Sequence, residues 1–400
     1  MYKTDFLIIG AGIVGLSIAN ELKKRYPAQS ITVLEKECTI GLHSSGRNSG
    51  VLHSGIYYPP TSLKAQVCSQ GAKLMAEFCL EHKLPLNKIG KVLVPVRSED
   101  ASQLAMLAER AEKNEIEVEQ VDEFQLQKLE PDVRSATGNA LYVPSTSVID
   151  SKLVLDKLLS INISMGIKLI VNTKIKKIEK QNVVLEKETI HFGHVVNAAG
   201  LHADLIAHLF GVGFDYTLLP FKGIYWKLDP KTKIKINHLV YPVPDLRVPF
   251  LGVHTTTSID GDIYLGPTAV PAFGRENYRG LKNIESKEFV HIVNLLSKQF
   301  VSNQDGFRRL AWQEGRRYFK HWFVEAASAL VPKIKKEDLL ICNKVGIRAQ
   351  MLNAKSGKLV TDFVVQNGLN STHILNAISP AFTSSFAFAK YVVDDFIEKG

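Results

Sequence analysis

Residues 5–35 read DFLIIGAGIVGLSIANELKKRYPAQSITVLE, and the architecture of the chain turns on them. DFLII is a short apolar run that stops at Gly10, which predicts a buried strand. From 13 to 25 the period changes: Ile13, Leu16, Ile18, Ala19 and Leu22 fall at helical spacing. Lys23, Lys24 and Arg25 close that stretch, where cations suit the negative end of a helix dipole. ITVL at 31–34 is β-branched and apolar, a second strand. Gly10, Gly12 and Gly15 make G-x-G-x-x-G at the strand-to-helix turn, and Glu35, followed by Lys36, ends the second strand 20 residues after Gly15. The first glycine permits the tight turn, the second lets backbone approach a diphosphate, and the third allows helix and strand to pack closely. Ile13 and Val14 open the helix, so their N–H groups face the phosphates. The Glu35 carboxylate suits a ribose diol and disfavours a 2′-phosphate.

Working outward, a loop rich in Gly, Ser, His and Asn runs from 41 to 60. Helices are predicted over 62–83, 100–113, 122–130, 284–300, 308–330 and 381–397. Strands are predicted over 168–172, 183–186, 194–197, 362–365 and 373–376, with a β-rich region from 216 to 270. This order predicts an α/β chain, α+β overall: a Rossmann-type nucleotide-binding domain from residues 1–90, 145–215 and 340–400, and an inserted β-sheet substrate domain from 91–144 and 216–339.

With 400 residues, 45% hydrophobic and 22% charged, the chain has the composition of an ordinary globular protein. Cys38, Cys68, Cys79 and Cys342 show no metal or redox spacing and read as reduced thiols. No signal sequence or membrane-spanning run is evident, so a cytoplasmic location is expected, or a peripheral seat on the cytoplasmic face of the inner membrane. No metal site is expected. The net charge of +9 favours an acidic substrate, an anionic lipid surface or nucleic acid without choosing among them.

The glycine fingerprint does not separate NAD from FAD. HVVNAAGLHAD at 194–204, with small residues Ala198, Ala199 and Gly200 at a strand end, resembles the second nucleotide-contact segment of FAD enzymes. HSSGRNSGVLHSGIYYPPTSLKAQVC at 43–68 goes further: with the first unit it resembles the L-2-hydroxyglutarate dehydrogenase/oxidase family, within the D-amino-acid-oxidase-like flavoproteins. The resemblance continues through FKGIYWKL (221–228), VYPVPDLRVPFLGVHTTTSIDGDIYLGPTAV (240–270), VGIRAQ (345–350) and STHILNAISPAFTSS (371–385). Arg47 stands where many members have His, and Ser44 where Gln is common.

The resemblance implies a D-amino-acid-oxidase-like fold, bound FAD, and oxidation of L-2-hydroxyglutarate to 2-oxoglutarate. Electrons then pass to a quinone, another acceptor or oxygen. It places Ser44, Ser45, Arg47, Asn48, Ser49 and Gly50 at the cofactor. It also puts Ser379, Pro380, Ala381, Phe382 and Thr383 there, as a helix start whose N–H groups and dipole stabilise charge on reduced flavin. A hydroxyl-proton acceptor is needed, and histidine suits it. His254 in the predicted substrate domain is favoured over His53 on the flavin side. Arg348 and Arg247 are candidate carboxylate forks, and Tyr57, Tyr58, Tyr241 and Lys222 are candidate pocket donors. Related alternatives are an oxidase of an amino acid, another hydroxy acid or glycerol 3-phosphate, and, more distantly, an RNA-associated flavoprotein.

In 307–336, Phe319, Trp322, Phe323, Ala326, Ala327 and Leu330 recur at helical spacing, with Arg316, Arg317, Lys320 and His321 opposite. Two readings compete: a helix with a solvated basic face, and attachment to an anionic membrane surface. No nucleic-acid recognition motif accompanies the charge, and no nucleic-acid partner is expected.

Overall fold

The computed structural model describes residues 2–246 and 250–398. Its central sheet has eight strands. Tyr2–Ile9 lies in the middle, parallel to Ile31–Leu34 on one side and Thr189–Asn197 on the other. Lys168–Ile170 and Ser371–Ile374 extend the parallel set outward. The register decides where a ligand can sit: Ile9 lies opposite both Leu34 and Asn197. Three strands therefore end side by side, and the turns beginning at Gly10, Glu35 and Ala198 leave from one edge. In open α/β sheets, ligands bind in the crevice outside such strand ends.

Strand alternation sends Ile8 to one face and Leu7 and Ile9 to the other. On the first face lie helices Ile13–Arg25, Leu63–Glu81, Ser151–Ser164 and Ala381–Val392, whose apolar sides form the largest core. Leu16, Ile18 and Leu22 are fully buried there, and each contributes about 1.5–3 kcal/mol by leaving water. Arg25, in the last turn of its helix, bonds Glu21, Asp394 and Glu398, which ties the chain's first helix to its last.

A second group of sheets stands over the strand ends. Phe221–Leu228 pairs with Ile263–Gly266, Val270–Pro271 and Leu339–Arg348. Lys91–Val94 pairs with Leu239–Pro242 and Asn139–Val143, which brings 91–143 and 239–242 into one sheet. Leu339–Arg348 runs along Phe221–Leu228, so the chain stays paired in this group of sheets to 348.

Several elements differ from the sequence pattern. Helix 308–330 is two helices, Phe307–Arg316 and Lys320–Ser328, separated by turns at 315–319. Their buried sides serve different cores: Phe307 packs with Phe221 and Phe250, whereas Phe323 and Ala327 pack with Val92 and Leu228. Phe319, counted on the buried stripe, is exposed at the break. The strand expected at 362–365 lies at Val365–Gly368. Glu119–Asp122 was invisible as a strand because it is a polar edge with only Val121 facing inward. Among the described residues no helix is long and apolar enough to cross a membrane.

Candidate functional site

A cavity of about 1170 Å³ runs from the glycine turn, along the strand ends, to the sheets above. It exceeds the usual small-molecule pocket of roughly 300–1,000 Å³, and its lining joins residues of the glycine turn to residues of the sheets above.

At one end the walls are main chain. Gly10 has φ +106°, and a Cβ there would lie 2.5 Å from the Ala198 carbonyl oxygen. A Cβ on Gly15 would lie 2.0 Å from the Gly10 carbonyl oxygen, so Gly15 is a packing residue behind the wall. The helix that follows has no side-chain cap. The Ile13 N–H donates to Ser45 Oγ at 3.0 Å, and a Cβ on Gly12 would sit 2.9 Å from that oxygen. This cradle of glycine backbone, helix N-terminus and hydroxyl fits a diphosphate. The Glu35 carboxylate accepts N–H bonds from Ala11 at 3.0 Å and Glu37 at 3.0 Å, which fixes it beside the turn. Ile13, Val14, Lys36, Ser44, Arg47, Asn48, Ser49, Ala198, Ala199 and Gly200 also line the cavity, while Gly50 stands just off it. These residues, with Glu35, would hold the dinucleotide.

Ser379, Pro380, Ala381, Phe382 and Thr383 line the same cavity where helix Ala381–Val392 begins. The Ala381 N–H is already bonded to the Ile378 carbonyl, so the first-turn amides of Phe382 and Thr383 are the remaining donors. Thr383 Oγ1 bridges the Val51 carbonyl and the His53 N–H, and so pins the 51–53 segment to the helix start.

At the other end the walls are side chains. His254, Tyr241, Tyr225, Phe250 and Arg348 line it together with His53. His254 and Tyr241 stack at 3.7 Å between centroids, 16° from parallel. His254 Nδ1 lies 2.9 Å from the Gly252 carbonyl. A carbonyl only accepts, so Nδ1 carries the proton and Nε2 keeps its lone pair. Burial first, and then the Lys91 charge opposing the Gly252 bond, pushes His254 down to about 3. Burial, Lys91, His254 and Arg348 push His53 to about 3 as well. Both imidazoles rest neutral. The Arg348 guanidinium stands 5.3 Å from the Phe250 ring centroid.

Three expected pocket donors lie off the cavity lining. Tyr57 is buried behind the wall, and Lys222 donates to Asn277 Oδ1 at 2.9 Å rather than reaching the cavity. Tyr58 is also absent from the lining. Arg247 lies outside the described residues.

The sequence reading missed a strap. Residues 272–283 leave the second sheet group and cross to the nucleotide end. Arg275 forks onto Asp204 at 2.6 and 2.9 Å, and bonds the Leu201 carbonyl and Glu288. Glu276 accepts from Lys36 and from His202 at 2.9 Å, and these bonds hold its carboxyl well below the usual range. The Tyr278 hydroxyl meets His43 Nδ1 at 2.8 Å, with Arg47 over its ring at 4.3 Å. Glu37, His43 and Glu276 bring possible metal-ligand atoms within 4.8 Å of one another, but Lys36 bonds both carboxylates and already supplies their counter-charge. GREN at 274–277 carries no recognisable motif, so nothing in the sequence pointed to it.

The family described as FAD dependent oxidoreductase matches residues 5–395. L-2-hydroxyglutarate dehydrogenase of Indibacter alkaliphilus is 35% identical, covering 97% of each chain. The mitochondrial L-2-hydroxyglutarate dehydrogenase of Homo sapiens is 35% identical, covering 98% of this chain and 88% of its own. The Escherichia coli K12 protein of the same name is 33% identical, over 97% and 92%. Among solved structures, FAD-bound L-alpha-glycerophosphate oxidase from Mycoplasma pneumoniae superposes with TM-score 0.77 at 23% identity, over 98% of this chain and 94% of that one.

Proposed function

The chain belongs to the FAD dependent oxidoreductase family, and from that premise we propose that it oxidises L-2-hydroxyglutarate to 2-oxoglutarate. The observation that carries the reading is one unbroken cavity joining the glycine cradle to a neutral, correctly protonated histidine. Near full-length relatives bearing one name supply the substrate.

FAD, when bound, supplies the acceptor for the hydride that leaves the α-carbon. The protein supplies the rest. His254 Nε2 takes the hydroxyl proton, and Nδ1 stays anchored on the Gly252 carbonyl so that the ring cannot turn away. Arg348 grips a substrate carboxylate with its planar fork, and Tyr241 holds the His254 ring flat. The first-turn amides of Phe382 and Thr383 face negative charge gathering deep in the cavity.

The electron acceptor we assign is a quinone reached from an anionic membrane surface. Trp312, Tyr318 and Phe319 are each at least 60% exposed, in a stretch that also carries Arg308, Arg309 and Arg316. Aromatic rings interleaved with arginine suit a headgroup layer. The helix Phe307–Arg316 also sends Glu314 to the cavity wall.

Anaerobic titration tests the substrate. L-2-hydroxyglutarate should bleach the yellow flavin of the purified protein; bleaching by the D-enantiomer or glycerol 3-phosphate instead would overturn the assignment. Sedimentation with phosphatidylglycerol vesicles, lost at high salt, tests the surface.

A further inference from the structure

Lys91 opens the strand Lys91–Val94 and lies opposite Leu239 in the parallel register that also brings in Tyr241. Its side chain is wholly buried and its Nζ makes no hydrogen bond. Two aromatic faces hold it instead, Tyr57 at 4.7 Å and Tyr241 at 5.6 Å from the ring centroids. Tyr241 is the ring that stacks on His254, and both line the cavity. The hydroxyl oxygens of Tyr57 and Tyr241 and Nδ1 of His53 are buried there without partners too.

An ammonium in this position has lost its hydration, and ring faces return only part of that loss. Among the described residues the one acidic group acting on Lys91 is the Cys68 thiol, which burial pushes up to about 12, so it is uncharged at neutral pH. The other groups facing it, His53 and His254, are neutral, and Tyr57 and Tyr241 keep their protons. Burial pushes Lys91 itself down to about 7. A lysine whose charged form no protein anion balances thus stands directly behind the wall that the substrate faces.

We propose that Lys91 is the buried counter-charge for a dianionic substrate: acting through Tyr241 and His254 rather than by contact, it selects a hydroxy acid with two carboxylates over one with a single carboxylate. The proposal rests on the hydroxy-acid reading above. Its physical content is linkage: an arriving dianion favours the protonated lysine, so binding draws a proton from solution. A residue with a purely packing role produces no such uptake.

The test uses the intact FAD-loaded protein and two unreactive probes, glutarate and butyrate. Calorimetric titration at pH 7.5, in buffers of different ionisation enthalpy, should show glutarate taking up about half a proton or more. Butyrate should take up markedly less. Lys91→Met should abolish the uptake. It should also lower the ratio of kcat/KM for L-2-hydroxyglutarate to that for L-2-hydroxybutyrate by about 10-fold, chiefly through KM. Glutarate binding without proton uptake, or equal losses on both substrates in Lys91→Met, would overturn the proposal. If Lys91→Met does not fold, Lys91→Gln takes its place, because Lys64, also buried and pushed down to about 7, is able to draw a proton in the parent as well. Failure of L-2-hydroxyglutarate to bleach the flavin would remove the substrate reading instead, an outcome separate from binding without uptake.

Discussion

At the nucleotide end of the cavity the walls are backbone: Gly10, Gly12, the start of the first helix and the turn at Ala198. At the substrate end they are side chains drawn from three separate stretches: His53, Tyr241 with His254, and Arg348. Backbone recognition needs glycine at fixed spacing, so it is local and tolerates no added carbon. Side-chain recognition needs only the right group at the right place, so it is assembled across the chain and degrades by degrees. Substitutions at the two ends should therefore fail in different ways.

The largest effect is expected from Gly12→Val. Its Cβ would begin 2.9 Å from Ser45 Oγ and its methyls would fill the diphosphate cradle. The protein should fold, by circular dichroism, yet purify with less than about a tenth of the parent's flavin. A fully yellow Gly12→Val would mean that the cofactor lies elsewhere.

At the other end, His254→Ala should keep its flavin and lose about 10²–10⁴-fold in kcat. The parent's kcat/KM should also show no acid limb as pH falls from 7.5 to 5.5; protonation of Lys91 in that range raises it rather than lowering it. The folded pKa of His254 is lowered to about 3, so the neutral base persists through the range where an ordinary histidine protonates. The sign for stability is the same: the contribution is present above the unfolded pKa and is lost as pH falls toward 3. An acid limb near pH 6.5 would point to a different base. Arg348→Lys should act more mildly, raising KM about 10-fold with flavin retained, because an ammonium cannot reproduce the two-pronged fork. An unchanged KM would remove Arg348 from the carboxylate.

The same contrast explains what could be read from the sequence. The βαβ unit and its glycines were legible because helix and strand periods and turn chemistry are local. The segments around 48–58 and 371–385 were legible through family resemblance. Lys91 was not: no strand is expected over 91–94, and only pairing with 239–242 and 139–143 buries it. Tyr57 and Lys222 went the other way: expected at the pocket, they lie off its lining, Lys222 held by Asn277, a residue distant in sequence. The strap at 272–283 had no local signal at all, since Arg275 finds Asp204 and Glu276 finds Lys36 only after the two groups of sheets have met.

That strap crosses the division between the two ends, and it gives the smallest expected effect. Its side-chain bonds from Glu276 reach Lys36, beside the Glu35 carboxylate, and His202, just after Gly200. Lys36, His202 and Glu276 all line the cavity, so a dinucleotide on the glycine cradle would sit beside these bonds, and loosening them is expected to speed its release. Glu276→Gln keeps the shape and removes the charge, weakening both bonds. Because the carboxylate and its partners are about a quarter exposed, solvent screens the loss, and roughly 1 kcal/mol is the appropriate scale. FAD should then dissociate about 5-fold faster, measured by recovery of flavin fluorescence on dilution. Raising ionic strength should speed release from the parent toward the variant's rate and change the variant little. Equal release rates at low salt would show that the backbone cradle alone retains the cofactor, and the two ends would then be independent.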